Sequence, residues 1–175
     1  MKTVRTLITF SLFIVACTAT ALGQSIQTDY DHSFNLSSLK TYAFTPPQRH
    51  GNDLLASSPI NDRRIYNALD QQLRANGLTE SGQPDFLVSY RVTTRKNLDI
   101  QDNRHGPLQR LGGSINVNEI TEGTIVVTFV DNASSLEVWR GYVSGAINPK
   151  DLDKDVNKGI SKLIQKFRKD QGGQK

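Results

Sequence analysis

The sequence predicts an α+β fold: a two-layer sandwich in which a mixed, mostly antiparallel sheet of four to six strands carries two helices packed on one face. Three observations predict it. Segments with a two-residue apolar period recur along the chain, two segments carry a 3.6-residue apolar stripe, and the two kinds alternate in the order strand, strand, helix, strands, helix. Each helix has a single apolar stripe, so it needs cover on one side only, and one shared sheet face supplies it for both.

The first 23 residues stand apart from this pattern. Lys2 and Arg5 precede the apolar run Leu7 to Ala16, and small residues follow from Cys17 to Gly23. That is the plan of a secretory signal peptide. The run falls short of the roughly 20 apolar residues that a membrane-spanning helix needs. Two processing sites compete. Cleavage after Gly23, with Ala21 and Gly23 as the small residues, removes residues 1–23 and releases one domain over residues 24–170 with a frayed tail at 171–175. Cleavage after Ala16 reads Ile14-Val15-Ala16-Cys17 as a lipobox, makes residues 1–16 the lipoprotein signal and Cys17 the lipid attachment site. The lipobox lacks the leucine and the small residue usual at its first two positions. Both readings export the domain, either free in the periplasm or tethered to the envelope.

Cys17 is the chain's one cysteine, so the domain has no disulfide, no thiol nucleophile and no thiolate metal site. With Lys2 and Arg5 gone, Lys+Arg against Asp+Glu falls from 21:17 to 19:17, and the net charge from +4 to +2. A balance so near neutral gives no support to nucleic acid as a partner. A membrane enters only through the lipid anchor.

Along the domain, Ile26, Thr28 and Tyr30 alternate with polar residues and predict a first strand. A turn-rich stretch leads to a second strand over Thr41 to Phe44, ended by Pro46-Pro47, whose rings cannot donate to a ladder. Residues 46–58 have no period and predict an exposed loop. Ser58-Pro59 predicts a helix start, Ile65, Leu69 and Leu73 its buried stripe, and Asn76-Gly77 its stop. Pro84 introduces a strand over Asp85 to Thr94, with Phe86, Val88, Tyr90 and Val92 on one face. Arg95 to Gly113 is polar, contains Gly106-Pro107 and Gly112-Gly113, and predicts a long loop or flap. Residues 115–120 alternate as a further strand, and Thr124 to Val130 is β-branched enough for a central one. After a turn at 131–135, Leu136 to Gly145 returns. Pairing Val130 with Leu136 sets Val127 opposite Trp139 and Ile125 opposite Gly141, so that Trp139 packs on β-branched neighbours. The last helix follows Pro149, with Leu152, Val156, Ile160, Leu163, Ile164 and Phe167 on one face and acidic residues crowding its start. Its tail, from Asp170, is expected to fray. The strand-helix-strand passage over residues 59–94 implies one parallel pair of neighbours.

The run Glu122-Gly123-Thr124-Ile125-Val126-Val127, then Asp131, then Val138-Trp139-Arg140-Gly141 before a terminal amphipathic helix, resembles the domain-of-unknown-function family 4136. Thr28-Asp29-Tyr30-Asp31, Lys40-Thr41-Tyr42-Ala43-Phe44 and Pro84-Asp85-Phe86-Leu87-Val88 carry the same resemblance, which spans essentially the whole mature chain. It implies a bacterial envelope protein, often a lipoprotein, with no assigned activity. Asp131, Trp139, Arg140 and Gly141 are a structural signature rather than a site.

No catalytic, cofactor-binding or metal-binding residue can be named. His32, His50 and His105 sit in separate loops without ligand spacing, and no nucleophile elbow, His-Glu-x-x-His or phosphate loop occurs. Asp29, Asp31, Asp85 and Asp131 lie near strand ends, where aspartate caps turns more often than it pairs for catalysis. Trp139 and Arg140 are adjacent in a strand and point to opposite faces, so Trp139 belongs to the core and Arg140 to solvent or an ion pair. The final helix is expected to dock on the sheet rather than on a membrane surface. Arg91, Arg95, Lys96, Arg104 and Arg110 lend the strand end and long loop a basic tint.

Three functions fit. The first is a non-catalytic envelope module for a protein or polymer partner, which requires an apolar patch on an exposed sheet face or edge. The second is a binder of a small amphiphile or lipid between sheet and helices or under the long loop. An uncharacterised periplasmic enzyme is the third, and requires histidines or aspartates to converge.

Overall fold

The computed structural model describes residues 24–46, 58–102 and 115–173. The leader with both candidate cleavage sites, Cys17, His50, His105, Arg104, Arg110 and most of the expected 46–58 loop lie outside these residues.

The chain runs β1 (Ser25–Tyr30), a 3-10 turn (Leu36–Ser38), β2 (Thr41–Phe44), α1 (Pro59–Ala75), β3 (Thr79–Glu80), β4 (Phe86–Asp102), β5 (Ile115–Asp131), β6 (Glu137–Ala146) and α2 (Leu152–Gly172). Among the described residues the strands form one mixed sheet in the order β1-β6-β5-β4-β2-β3. β1, β6, β5 and β4 are antiparallel neighbours; β2 is parallel to both β4 and β3. The fold is thus α+β, and β2-α1-β4 supplies the expected parallel pair. Two-residue β3, unmarked by any period, adds a second.

Both helices cover the sheet face that carries Phe86, Val88, Tyr90, Ile125, Val127, Phe129, Trp139 and Val143, all buried. From α1 come Ile65, Ala68, Leu69 and Leu73, and from α2 Ile160, Leu163, Ile164 and Phe167. α1 begins at Pro59 with Ser58 as N-cap, and Gly77, at φ 81°, turns the chain out of the helix. The opposite face mixes polar positions such as Arg91, Thr93, Thr128 and Ser144 with Leu87, Val130, Tyr142 and the buried Val126.

Three expectations are corrected. First, Trp139 lies opposite Phe129, Val127 opposite Gly141 and Ile125 opposite Val143. Leu136 is 63% exposed, its carbonyl accepts from Asp131 N at the turn, where Ser135 takes a positive φ of 58°, and a bulge near Phe129/Val130 absorbs one more residue. Because the partner of Trp139 moves by two residues, the same face stays inward. Its neighbours are aromatic rather than β-branched: Phe129 stacks on it at 4.7 Å and Phe167 meets it edge-on at 5.3 Å.

Second, much of the expected 95–113 loop is strand. β4 runs to Asp102 and β5 starts at Ile115, and the pair continues as a two-stranded arm from Lys96↔Thr121 to Asp102↔Ile115 after β6 stops pairing at Glu122↔Ala146. Residues 115–120 alternate weakly and residues 95–102 show no period by themselves, and the ladder between them gives both order.

Third, the last helix does not stop at Asp170. α2 extends to Gly172, Gln171 is buried, and its Nε2 donates to the Leu36 carbonyl at 2.8 Å. The Ser37 hydroxyl donates to the Gln171 carbonyl at 3.0 Å. Polar side chains at the helix end find backbone partners on the 3-10 turn that no local pattern reveals.

Candidate functional site

At the end of the sandwich where α1 and α2 begin, the two layers part into a groove. Its sheet wall is built from Val92 and Thr94 on β4, Gly123 and Ile125 on β5, and Val143 and Gly145 on β6. Ile65, Leu152 and Val156 close it from the helices, while Asn61, Arg64 and Asp155 stand among its polar lining. The floor opens because Gly123 and Gly145 face each other across the β5–β6 ladder. Glycine inside a strand commonly marks a close approach. A side chain on Gly123 would meet Ile147 at 2.9 Å, and one on Gly145 would press Gln24 at 3.2 Å. The volume of this open groove is about 80 Å³, smaller than the roughly 150 Å³ cavity that holds one benzene ring. The groove therefore suits the narrow end of an apolar chain.

The polar atoms around it are placed by the fold. Arg64 pairs with Asp153 at 2.5 Å and donates to Asn61 at 2.7 Å, joining the first turns of the two helices. Gln24, which precedes β1, reaches α2, and its Nε2 donates to the Asp155 carbonyl at 2.7 Å. Gly159 allows this reach: a β-carbon there would lie 2.6 Å from Val143 Cγ1 and 3.4 Å from Gln24 Nε2. Among the described residues, the buried Gln24 Oε1 has no hydrogen-bond partner.

Among the described residues, none of the histidines, strand-end aspartates and strand-end basic residues singled out in the sequence, and none of the signature residues Asp131, Trp139, Arg140 and Gly141, lines this groove. Trp139 is wholly buried, and Arg140 pairs with Glu137 on the outer face. Gly141 lies under α2, where a β-carbon would meet Leu163 and Trp139 at 2.5 Å. The aspartates cap backbone: Asp31 accepts from Ser33 N at 2.8 Å, Asp131 from Ser134 N at 2.7 Å, and Asp85 from Lys40 N and Thr41 N at 2.9 and 2.8 Å. These N–H groups hold the Asp85 carboxyl below its usual range, as the Ser33 bonds do for Asp31. Asp29 lies in register with Arg140 at the other edge of the sheet. His32 is exposed beside Tyr30. Arg91, Arg95 and Lys96 are exposed along β4. Among the described residues, no three His, Cys, Asp or Glu side chains gather as a metal site, and no helix is long and apolar enough to cross a membrane. Gln24 was missed because nothing in its local sequence sets it apart; Gly123, Gly145 and Gly159, glycines inside periodic segments, were the available signal.

A family model described as "Domain of unknown function (DUF4136)" matches residues 26–167. The chain belongs to this family. No curated protein matches it. Among solved structures, this DUF4136 domain is similar to a PDZ domain protein from Parabacteroides distasonis, at 13% identity and a TM-score of 0.54, covering 82% of this chain and 36% of that one. It thus spans about a third of that structure. It is also similar to PelC from Paraburkholderia phytofirmans, solved as a dodecamer, at 10% identity and a TM-score of 0.51, covering 83% of this chain and 97% of that one. At such identities the likeness is one of fold alone.

Proposed function

We propose that this DUF4136 protein is an exported, non-catalytic binding module of the bacterial envelope, and that its ligand enters the groove between the sheet and the helix starts. Export rests on the leader over residues 1–23. The observation that carries the site is the apolar, glycine-floored opening beside Val92, Ile125, Val143, Leu152 and Val156. A partner docking on the outer sheet face is the second reading, since Leu87, Val126, Val130 and Tyr142 lie on that face among its polar positions. The groove favours a small amphiphile, held by an apolar end that the 80 Å³ interior accepts.

The test is isothermal titration calorimetry of 1-octanol, a single slender chain, with the purified protein. Saturable binding is expected, lost in Thr94→Trp, which fills the groove from the sheet side. Heats that do not saturate, or that Thr94→Trp leaves intact, would overturn the site. Intact mass of the protein from envelope fractions tests the export reading: a chain still carrying residues 1–16 would contradict it, and a start at Gln24 or a lipidated Cys17 decides between the two leaders.

A further inference from the structure

α2 sorts its side chains into two sides. Val156, Ile160, Leu163, Ile164 and Phe167 are turned into the core. On the other side Lys154, Lys158 and Lys162 recur at four-residue steps, and Lys166 and Lys169 continue the row. At a rise of about 1.5 Å per residue, the row runs about 22 Å along the helix with successive lysines about 5–6 Å apart. From Val156 to Lys169 the sequence has five Lys and Arg and no Asp or Glu. The rest of residues 24–175 has 14 Lys+Arg against 17 Asp+Glu, so the positive surplus of the domain sits on this one helix. Among the described residues, none of these lysines has a carboxylate within ion-pair distance: Arg64 takes Asp153, and Arg74 takes Asp70 of neighbouring α1. Cations held in line without counter-charges make a local positive field that attracts an anion.

The company of the row selects the kind of anion. A helix that lies on a membrane keeps an apolar side for the lipid, and the apolar stripe of α2 is already spent on the core. Single-stranded nucleic acid is gripped by aromatic platforms, and the one aromatic residue of α2 is the buried Phe167. Beside the lysines run Asn157, Ser161 and Gln165 instead. The two amide nitrogens bond within the helix, to the Asp153 carbonyl and the Ser161 hydroxyl, which leaves their amide oxygens to accept from hydroxyl groups. A straight row of cations with a margin that bonds hydroxyls fits a linear polymer of acidic sugars.

We infer that the lysine row of α2 is an interaction surface for a linear acidic polysaccharide. It lies on the side of α2 turned away from the core, and it stands whether or not the groove takes a ligand.

The probe is polygalacturonate, a linear polyuronate, titrated into the purified protein at about 50 mM salt. Saturable binding is expected, weakened roughly tenfold or more at about 200 mM salt. Changing Lys158→Gln, Lys162→Gln and Lys169→Gln together keeps good helix formers and is expected to weaken binding at least tenfold at about 50 mM salt. Lysine to arginine at the same three positions is expected to preserve it. Arg91→Gln, Arg95→Gln and Lys150→Gln together remove equal charge away from α2 and are expected to weaken binding by less than about threefold. Circular dichroism of each variant checks that the fold is kept. No saturable binding of polygalacturonate overturns the proposal. Equal weakening by the two glutamine triples shows that net charge rather than the row is felt, and overturns the assignment to α2. Tighter binding, per anionic charge, to phosphatidylglycerol vesicles or to oligothymidylate than to polygalacturonate overturns the polysaccharide class.

Discussion

Trp139 in β6 donates its indole N–H to Asp170 Oδ2 at 3.0 Å, which ties the middle of the sheet to the last turn of α2. The tryptophan is wholly buried, so its one polar atom has a partner only because the helix continues past Lys169. Trp139→Phe keeps the aromatic stack on Phe129 and leaves Asp170 without this donor. A loss of about 1–3 kcal/mol is expected from urea unfolding followed by circular dichroism. Trp139→Ala should lose about 3–5 kcal/mol, the usual cost of truncating a large core aromatic. If Trp139→Phe unfolds at the same urea concentration as the unmutated protein, the bond contributes nothing to stability.

The same helix end gives a second prediction. Removing residues 170–175 deletes both the Trp139 bond and the Gln171 bonds to the 3-10 turn, so it should destabilise at least as much as Trp139→Phe. Removing residues 173–175 should leave stability within about 0.5 kcal/mol. Equal thermal midpoints for the two truncations would return the C-terminus to the frayed tail that sequence alone suggested.

Two glycines test packing against local propensity. Gly159 lies inside α2, where alanine alone would favour the helix by roughly 1 kcal/mol. Its β-carbon would fall 2.6 Å from Val143 Cγ1, and overpacking of this kind costs about 1–3 kcal/mol. Gly159→Ala is therefore expected to destabilise, and Val143→Ala in the same chain to recover part of the loss by making room. A double-mutant cycle with no coupling between the two positions would contradict this. Gly141→Ala, against Leu163 and Trp139, should destabilise likewise.

Asp85 predicts the acid side of stability. Its carboxylate accepts from Lys40 N and Thr41 N, so its folded pKa lies below the unfolded value of about 3.9. A depressed carboxyl contributes stability that is present above the unfolded pKa and lost as pH falls through the folded one. Asp31 shifts in the same direction and adds to the effect. Urea midpoints measured from pH 6 to pH 2.5 should fall below about pH 4. Asp85→Asn, which keeps an acceptor without the charge, should lower the midpoint near neutral pH and flatten the acid slope. An unchanged slope would assign the pH dependence elsewhere.

The sequence by itself determined the elements whose information is local. Pro59 and Gly77 bound α1, the Ile160–Leu163–Ile164–Phe167 stripe marks α2, and the alternation of Phe86, Val88 and Tyr90 marks β4, because caps, periods and φ preferences act within a few residues. That two single-striped helices share one sheet face also followed, since no other arrangement covers both stripes as simply. Tertiary structure decided what depends on residues far apart in the chain. The register of Trp139 on Phe129 was set by a bulge and a positive-φ serine, and the arm of residues 96–102 and 115–121 by a ladder between two stretches with little pattern of their own. The end of α2 was set by Trp139 and Leu36. The groove depends most on such distant contacts: Gly123 and Gly145 are unremarkable one by one, and become a site where the absence of two side chains leaves space between the sheet and the helix starts.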